Sequence, residues 1–420
     1  MRKDPVLLII GYVWPEPNSS AAGGRMMVLI HFFKRLGYRV YFASAAQESE
    51  FAFDLDTIGV EKVHIQLNHS SFDAFIKKLQ PNLVLFDRFM IEEQFGWRVY
   101  ENCPDAMRLL DTEDLHFLRE ARQHALKNGE LELQNDKAKR EIASILRCDL
   151  SLIVSEFEMQ LLQNEFGIST QLLCYFPLFV NAQNHLFDMP LPDFAQRKDF
   201  VFIGNFWHEP NWQAVLYLKE KIWPLLRKNL PEATLHIYGA YPSEKVFNLQ
   251  NTKEKFLVHG RAENAFVVVS QMRVSLAPLL FGAGLKGKLL EAMYCGTPSV
   301  TTQIGAEGIA AANDWPGFVA TTPEEITVAA FQLYTDEALW NQKQSIGFQL
   351  LEARFSQEFF EVKLETEMQQ LLENLPAHRR SNFIGSILQH QSMASTKYMS
   401  KWIEEKGETR SEKRETSLGN

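Results

Sequence analysis

Short runs of branched and aliphatic residues alternate along this chain with amphipathic stretches, and the alternation occurs twice. In the first half, residues 6–11, 40–43, 62–67, 83–86, 107–110 and 150–154 each read as a strand buried on both faces. Residues 26–36 and 72–79 between them carry helical apolar spacing, and 117–147 reads as one or two long helices with a polar face. A chain written this way folds as repeated β-α units around a parallel sheet, because only helices on both sides can cover strands apolar on both faces.

The rhythm breaks over 177–198, where Pro190 and Pro192 stand among scattered polar residues, and then resumes. The second set comprises strands at 200–203, 234–238, 256–259, 274–277 and 299–302, with helices at 212–229, 262–271 and 288–294. The expected fold class is therefore α/β, with two doubly wound Rossmann-like domains facing a cleft. Boundaries are expected at 1–180 for the first domain, 181–198 for a linker and 199–345 for the second domain. Helices over 346–375 should pack back on the first domain, and 376–420 reads as a polar tail, partly disordered.

Composition narrows the function classes. A formal net charge of -9 argues against nucleic acid as a partner, since phosphate contacts need a basic surface. The four cysteines, Cys103, Cys148, Cys174 and Cys295, are far apart and form no C-x-x-C pair, so neither a disulfide framework nor a zinc site is expected, and no metal is assigned. No apolar run approaches the about 18 residues of a membrane span. Arg2 and Lys3 precede the run 6–10, but Pro15 and Pro17 follow without a small-residue cleavage site, so this is read as a first strand. The expected location is the cytoplasm. Near the end, "FIGSILQHQSMASTKYMSKW" mixes apolar and basic residues, which suits either a frayed helix in solution or weak peripheral contact at the inner membrane surface.

The strand ends are where such folds bind ligands, and one loop there stands out. "FGAGLKGKLLEA", residues 281–292, spells G-x-G-x-x-G with Gly282, Gly284 and Gly287. A dinucleotide site would also need an acidic residue about 20 positions on, to hold a ribose hydroxyl. The next strand ends Val300-Thr301-Thr302-Gln303, which contains no carboxylate. Lys286 and Lys288 instead flank the start of a helix, where free N–H groups and the dipole already favour an anion, with Leu285 beside them. Glu291 lies about one turn further and suits a ribose diol. Cations for a diphosphate and a carboxylate for a ribose describe a nucleoside diphosphate site. The plain alternative is a tight turn with a solvated rim.

The block "VSLAPLLFGAGLKGKLLEAMYCGTPSVTTQIGAEGI", with "FVFIGNFWHEPNWQAVLYLKEKIWPLLRKNLPEATLHIYGA" upstream, resembles the group 1 nucleotide-sugar glycosyltransferases of GT-B fold over residues 200–311. The first half, with "YVWPEPNSSAAGGRM" and "LLDTEDLHFLREAR", is similar to their acceptor-side domain more loosely. The resemblance implies transfer of a hexose-type sugar from a nucleoside diphosphate sugar to an acceptor hydroxyl of a saccharide or lipid-linked acceptor. It further implies retained configuration and neither a metal nor a cofactor. Glu291 matches the second glutamate of the family's E-x7-E motif, the one that holds the donor ribose, and Lys286, Lys288, Gly284 and Leu285 would then face the diphosphate. The first glutamate falls at Ala283. An Arg and Lys pair common after the first strand of the second domain is replaced around "GNFWHEPN" by Asn205 and Asn211, and the usual acceptor-domain histidine has no clear match.

Further candidates follow from position. Gly23 and Gly24, between the first strand and helix, could let backbone approach a phosphate or form a plain surface turn, with Arg25 as a cation across the cleft. Asp111, Asp114 and His116 fall at a strand's carboxyl end. The aspartates could orient or deprotonate an acceptor hydroxyl and His116 could touch the donor sugar, or the group could cap a helix. The resemblance places His259, Gly260 and Arg261 near the nucleobase, with a surface ion pair the ordinary account of Arg261. Asn205 and Trp207 complete the donor loops. Two rivals stay open: a GT-B sugar-nucleotide epimerase, and a catalytically silent sugar-nucleotide-binding protein.

Overall fold

The computed structural model describes residues 4–180 and 190–418. The first domain holds β1 (Val6–Gly11), β2 (Arg39–Ser44), β3 (Glu61–His64), β4 (Leu83–Asp87), β5 (Met107–Asp111), β6 (Leu150–Ile153) and β7 (Leu173–Tyr175). All are parallel, in the order β3-β2-β1-β4-β5-β6-β7. The second holds β8 (Lys198–Ile203), β9 (Leu235–Tyr238), β10 (Phe256–Gly260), β11 (Met272–Ala277), β12 (Ser299–Thr301) and β13 (Gly317–Val319). These too are parallel, in the order β10-β9-β8-β11-β12-β13. The chain reverses direction of travel between β1 and β4, and between β8 and β11, which opens a crevice at the carboxyl ends of each sheet.

Strand periodicity explains the layers. Leu8 and Ile10 face one core of the first domain while Leu7 and Ile9 face the other, all fully buried. Phe200 and Phe202 do the same against Val201 in the second domain. The three-residue strands β7 and β13 were not expected, because runs so short leave no periodic signal.

Helix boundaries move where a cap outweighs the apolar pattern. The first helix is Ala21–Arg35, starting five residues before the expected position, because the Ser20 hydroxyl accepts the Gly23 N–H at 3.0 Å. Gly23 and Gly24 thus lie in a helix turn, not in the loop expected of them. Residues 116–147 divide into His116–Asn128, ended by left-handed Gly129, and Asp136–Arg147, capped by Asn135. Between Glu209–Tyr217 and Trp223–Asn229 the chain passes through a π-helical stretch, Leu218–Ile222, just before Pro224, which has no N–H to give.

After helix Glu337–Arg354 the chain returns to the first domain. Helix Gln357–Ser381 sets Phe360, Leu364, Met368 and Leu375 into that domain's core and kinks at Asn374, ahead of Pro376. The expected polar tail is instead helical over Phe383–Leu418, lying on helices Phe89–Asn102 and Asp136–Arg147. Lys, Glu and Arg favour helix, so low apolar content alone did not argue for disorder. Among the described residues no helix is long and apolar enough to cross a membrane.

Candidate active site in the interdomain cleft

The carboxyl ends of the two sheets face each other across a cleft of about 950 Å³ lined by both domains. On the second-domain wall, the loop after β11 feeds helix Gly287–Tyr294, with Lys286 at its N-cap position. Lys286 is buried, and its Nζ donates to the Gly284 carbonyl at 2.8 Å. Loss of water brings its ammonium down to about 8, opposed by the Glu307 and Glu158 carboxylates. Lys288 donates to Asn211 Oδ1, with Nζ 4.4 Å from the centre of the Phe202 ring, and burial brings it down to about 7, with Glu291 opposing. Burial likewise raises the Glu291 carboxyl, against the pull of Lys288. Two desolvated lysines at a helix start therefore stand one turn from a carboxylate. An arriving anion would restore their full charge.

Gly284 has φ of +62°, and a Cβ on it would lie 2.8 Å from Asp114 Cβ in the opposite domain. Glycine is required there by both conformation and contact. Leu285 packs with Val154 and Leu178, while Ala283 is buried against the first domain's core.

The donor-loop candidates separate. Asn205 Oδ1 accepts the Trp207 N–H at 2.9 Å, and exposed Trp207 stacks on Tyr241 with centroids 3.7 Å apart. Arg261 lies over the Phe51 ring at 4.3 Å and lines the cleft with Ala262, Glu263 and Asn264. His259 and Gly260 do not line it. The His259 ring stacks on Tyr238 and meets His236 Nδ1 at 2.8 Å, and the Gly260 carbonyl accepts the Gly239 N–H. Any base contact therefore falls to the residues just beyond β10.

The first-domain wall corrects two assignments. Arg25 Nε and Nη2 donate to Asp111 at 2.8 to 2.9 Å and Nη1 to the Phe176 and Pro177 carbonyls, with both side chains buried beneath the cleft. Each cancels the other's charge, so Arg25 does not reach a donor phosphate and Asp111 does not reach an acceptor. Gly23 lines the cleft, but a Cβ there would lie 2.4 Å from the Glu16 backbone, so its smallness serves chain packing, and Gly24 does not line the cleft. Asp114 and His116 do face it, with His116 Nε2 3.1 Å from Asp114 Oδ1 and Arg119 on the same carboxylate. Burial would raise the Asp114 carboxyl, but Arg119 and His116 outweigh it and hold it well below the usual range. Asp114 is thus a good hydrogen-bond acceptor and a weak base.

Three cleft residues escaped sequence reasoning. Glu113 has φ of +63° and no side-chain hydrogen-bond partner among the described residues, and burial with Asp111 nearby pushes its carboxyl up to about 8. Arg88, with φ of +73°, sits at the neighbouring strand end, 3.6 Å from Asp87. His208 is pushed down to about 3 by burial and Arg119. Non-glycine residues in this backbone region mark sites under constraint. The sequence carries no sign of it.

Residues 197–336 match the family model described as glycosyl transferases group 1. Among curated proteins none matches. Solved structures share the fold over most of the chain. A glycosyltransferase from Rickettsia africae superposes with a TM-score of 0.64 at 14% identity, covering 88% of this chain and 99% of that one. Sucrose-phosphate synthase from Thermosynechococcus elongatus gives 0.63 at 15%, covering 88% and 100%. HepE from Anabaena, in complex with UDP, gives 0.62 at 12%, covering 87% and 100%. The two-domain architecture is that of these GT-B structures.

Proposed function

The second domain is a group 1 glycosyl transferase domain, and from that premise we propose that the chain moves a hexose-type sugar from a nucleoside diphosphate sugar to an acceptor hydroxyl with retained configuration. The observation that carries this reading is the grouping of Lys286, Lys288 and Glu291 at one helix start facing the cleft. The lysines neutralise the diphosphate, whose charge grows as the bond from the anomeric carbon to its oxygen breaks. Glu291 takes the ribose hydroxyls. The acceptor oxygen bonds the anomeric carbon on the same face, and its proton passes to the departing phosphate oxygen. Asp114 and Glu113, across the cleft, align the acceptor hydroxyl. Positive charge at the leaving group comes from side chains, so this route calls for no metal ion.

The acceptor is a saccharide or a lipid-linked saccharide, and the work is cytoplasmic, at the inner membrane surface where the acceptor is lipid-linked. UDP is the nucleotide in the HepE structure, which makes it the first ligand to try. A thermal-shift screen against uridine, guanosine, adenosine and thymidine diphosphates tests the site: one of them should raise the melting temperature by several degrees. Stabilisation by none of the four would sink it.

A further inference from the structure

The loop that carries Lys286 is held from the opposite domain. Arg122, on helix His116–Asn128, donates through Nη1 to the Gly282 carbonyl at 2.7 Å. The same guanidinium grips both oxygens of Glu307 at 2.8 and 2.7 Å. Glu158, on helix Glu156–Phe166 and fully buried, accepts the Gly284 N–H on Oε1 at 2.7 Å and the Leu115 N–H on the same atom at 3.0 Å. Its Oε2 has no partner among the described residues. The carbonyl that receives the Lys286 ammonium belongs to Gly284 itself.

We propose that Arg122 and Glu158 are positioning residues that hold the donor loop in its anion-receptive shape, so that the second domain binds a diphosphate tightly only while seated against the first. This deepens the nucleoside diphosphate reading above and rests on it. Gly282 and Gly284 impose little conformation of their own, and both are pinned by polar groups from across the cleft. Asp114, Glu307 and Arg122 also face Lys286, and burial with Asp114 nearby pushes the Glu158 carboxyl up to about 7. The charge on Glu158 supports the protonated form of Lys286, so removing that charge lowers the pH at which the lysine stops attracting an anion.

The test uses the full chain and two readouts. Amide hydrogen exchange over 281–288 should speed up at least tenfold in R122M and E158Q, while β1 and β4 keep their protection. Calorimetric titration follows, from pH 6 to 9, with whichever of the four diphosphates stabilises the wild type best, and with inorganic pyrophosphate. Both variants should bind at least tenfold more weakly, and E158Q should move the pH midpoint down by about half a unit or more. R122K should recover part of the loss. E307Q removes one of the two anchors that hold Arg122 on the other domain, the Gly282 carbonyl being the second, and should speed exchange over 281–288 by part of the R122M effect if R122M fails to fold. Unchanged loop exchange, or affinities within twofold of wild type, would overturn the clamp. A wild type that binds none of the diphosphates refutes the site reading instead, while the exchange measurement still decides the clamp.

Discussion

Lys286 and Lys288 carry the most direct pH signature. In the unfolded chain both titrate near the ordinary value of about 10.4, whereas burial brings them to about 8 and about 7 in the fold. Between those values and the unfolded one the unfolded state binds more protons, so the contribution of these lysines to stability rises with pH from 7 to 10. A bound diphosphate favours the protonated forms, which reverses the sign for affinity. Binding should weaken above pH 8 by up to about tenfold per unit for each proton taken up. Calorimetry at pH 8 in buffers of different ionisation enthalpy should report that uptake, and a pH-independent affinity would contradict it. If the carboxylate serves the ribose, as proposed, Glu291→Ala should weaken a nucleoside diphosphate by roughly tenfold or more and pyrophosphate far less. Equal losses would remove that assignment. The placement of the lysines and Glu291 together at one helix start was legible because their spacing on one helix turn is a sequence property. Glu113 was not, since its strained backbone and burial arise only when β4 and β5 lie side by side.

At the level of elements, the strand-and-helix alternation located β1 to β6 and β8 to β12, while β7 and β13 were too short to register. Where local chemistry decided a boundary, the apolar pattern misplaced it: the Ser20 cap begins the first helix in a segment that reads as a loop. The Arg25–Asp111 pair shows the same limit from the other side. The residues are 86 positions apart, and nothing in either neighbourhood announces the other. The C-terminal helices make the sharpest element-scale prediction. Arg379 donates to both oxygens of buried Asp149 at 2.8 and 2.7 Å and to the Ala106 carbonyl at 2.6 Å, fastening helix Gln357–Ser381 to the base of the first sheet. Burial would raise the Asp149 carboxyl, but Arg379 and Arg108 hold it below its usual value. That stability is present above about pH 4 and is lost as pH falls through the depressed value. Arg379→Met should cost roughly 2–4 kcal/mol, less than a fully buried pair because Arg379 is partly exposed, and should flatten the acid limb of the stability curve. Urea titrations at pH 7 and pH 3 would check both effects.

For the whole molecule, the question is how firmly the two domains are set against each other. Polar contacts between the domains, in which Tyr241 donates to Glu16, Arg122 grips Glu307, Arg354 pairs with Glu156 and Glu158 receives the Gly284 N–H, lie beside an apolar seam where Leu285, Leu289 and Ile309 cluster with Val154 and Leu178. The polar contacts can exchange for water while the apolar seam holds the domains together, so opening at the polar side, if it admits a ligand, is expected to be limited and measurable. Tyr241 sits where opening can be read with least disturbance. Its hydroxyl lies 2.8 and 2.7 Å from the two Glu16 oxygens, at the mouth of the cleft. Glu16 keeps a second donor in Ser49 Oγ, so Tyr241→Phe leaves no orphaned charge. Losing that one charge-assisted bond should cost about 1–2 kcal/mol, which moves the closed-to-open ratio by roughly five- to thirtyfold. The variant should show a larger radius of gyration by small-angle scattering without ligand, and a nucleoside diphosphate should restore the wild-type value because both walls of the site then share it. If wild type and variant scatter identically with and without ligand, the two domains form one rigid body, and donor entry must occur through the loops alone.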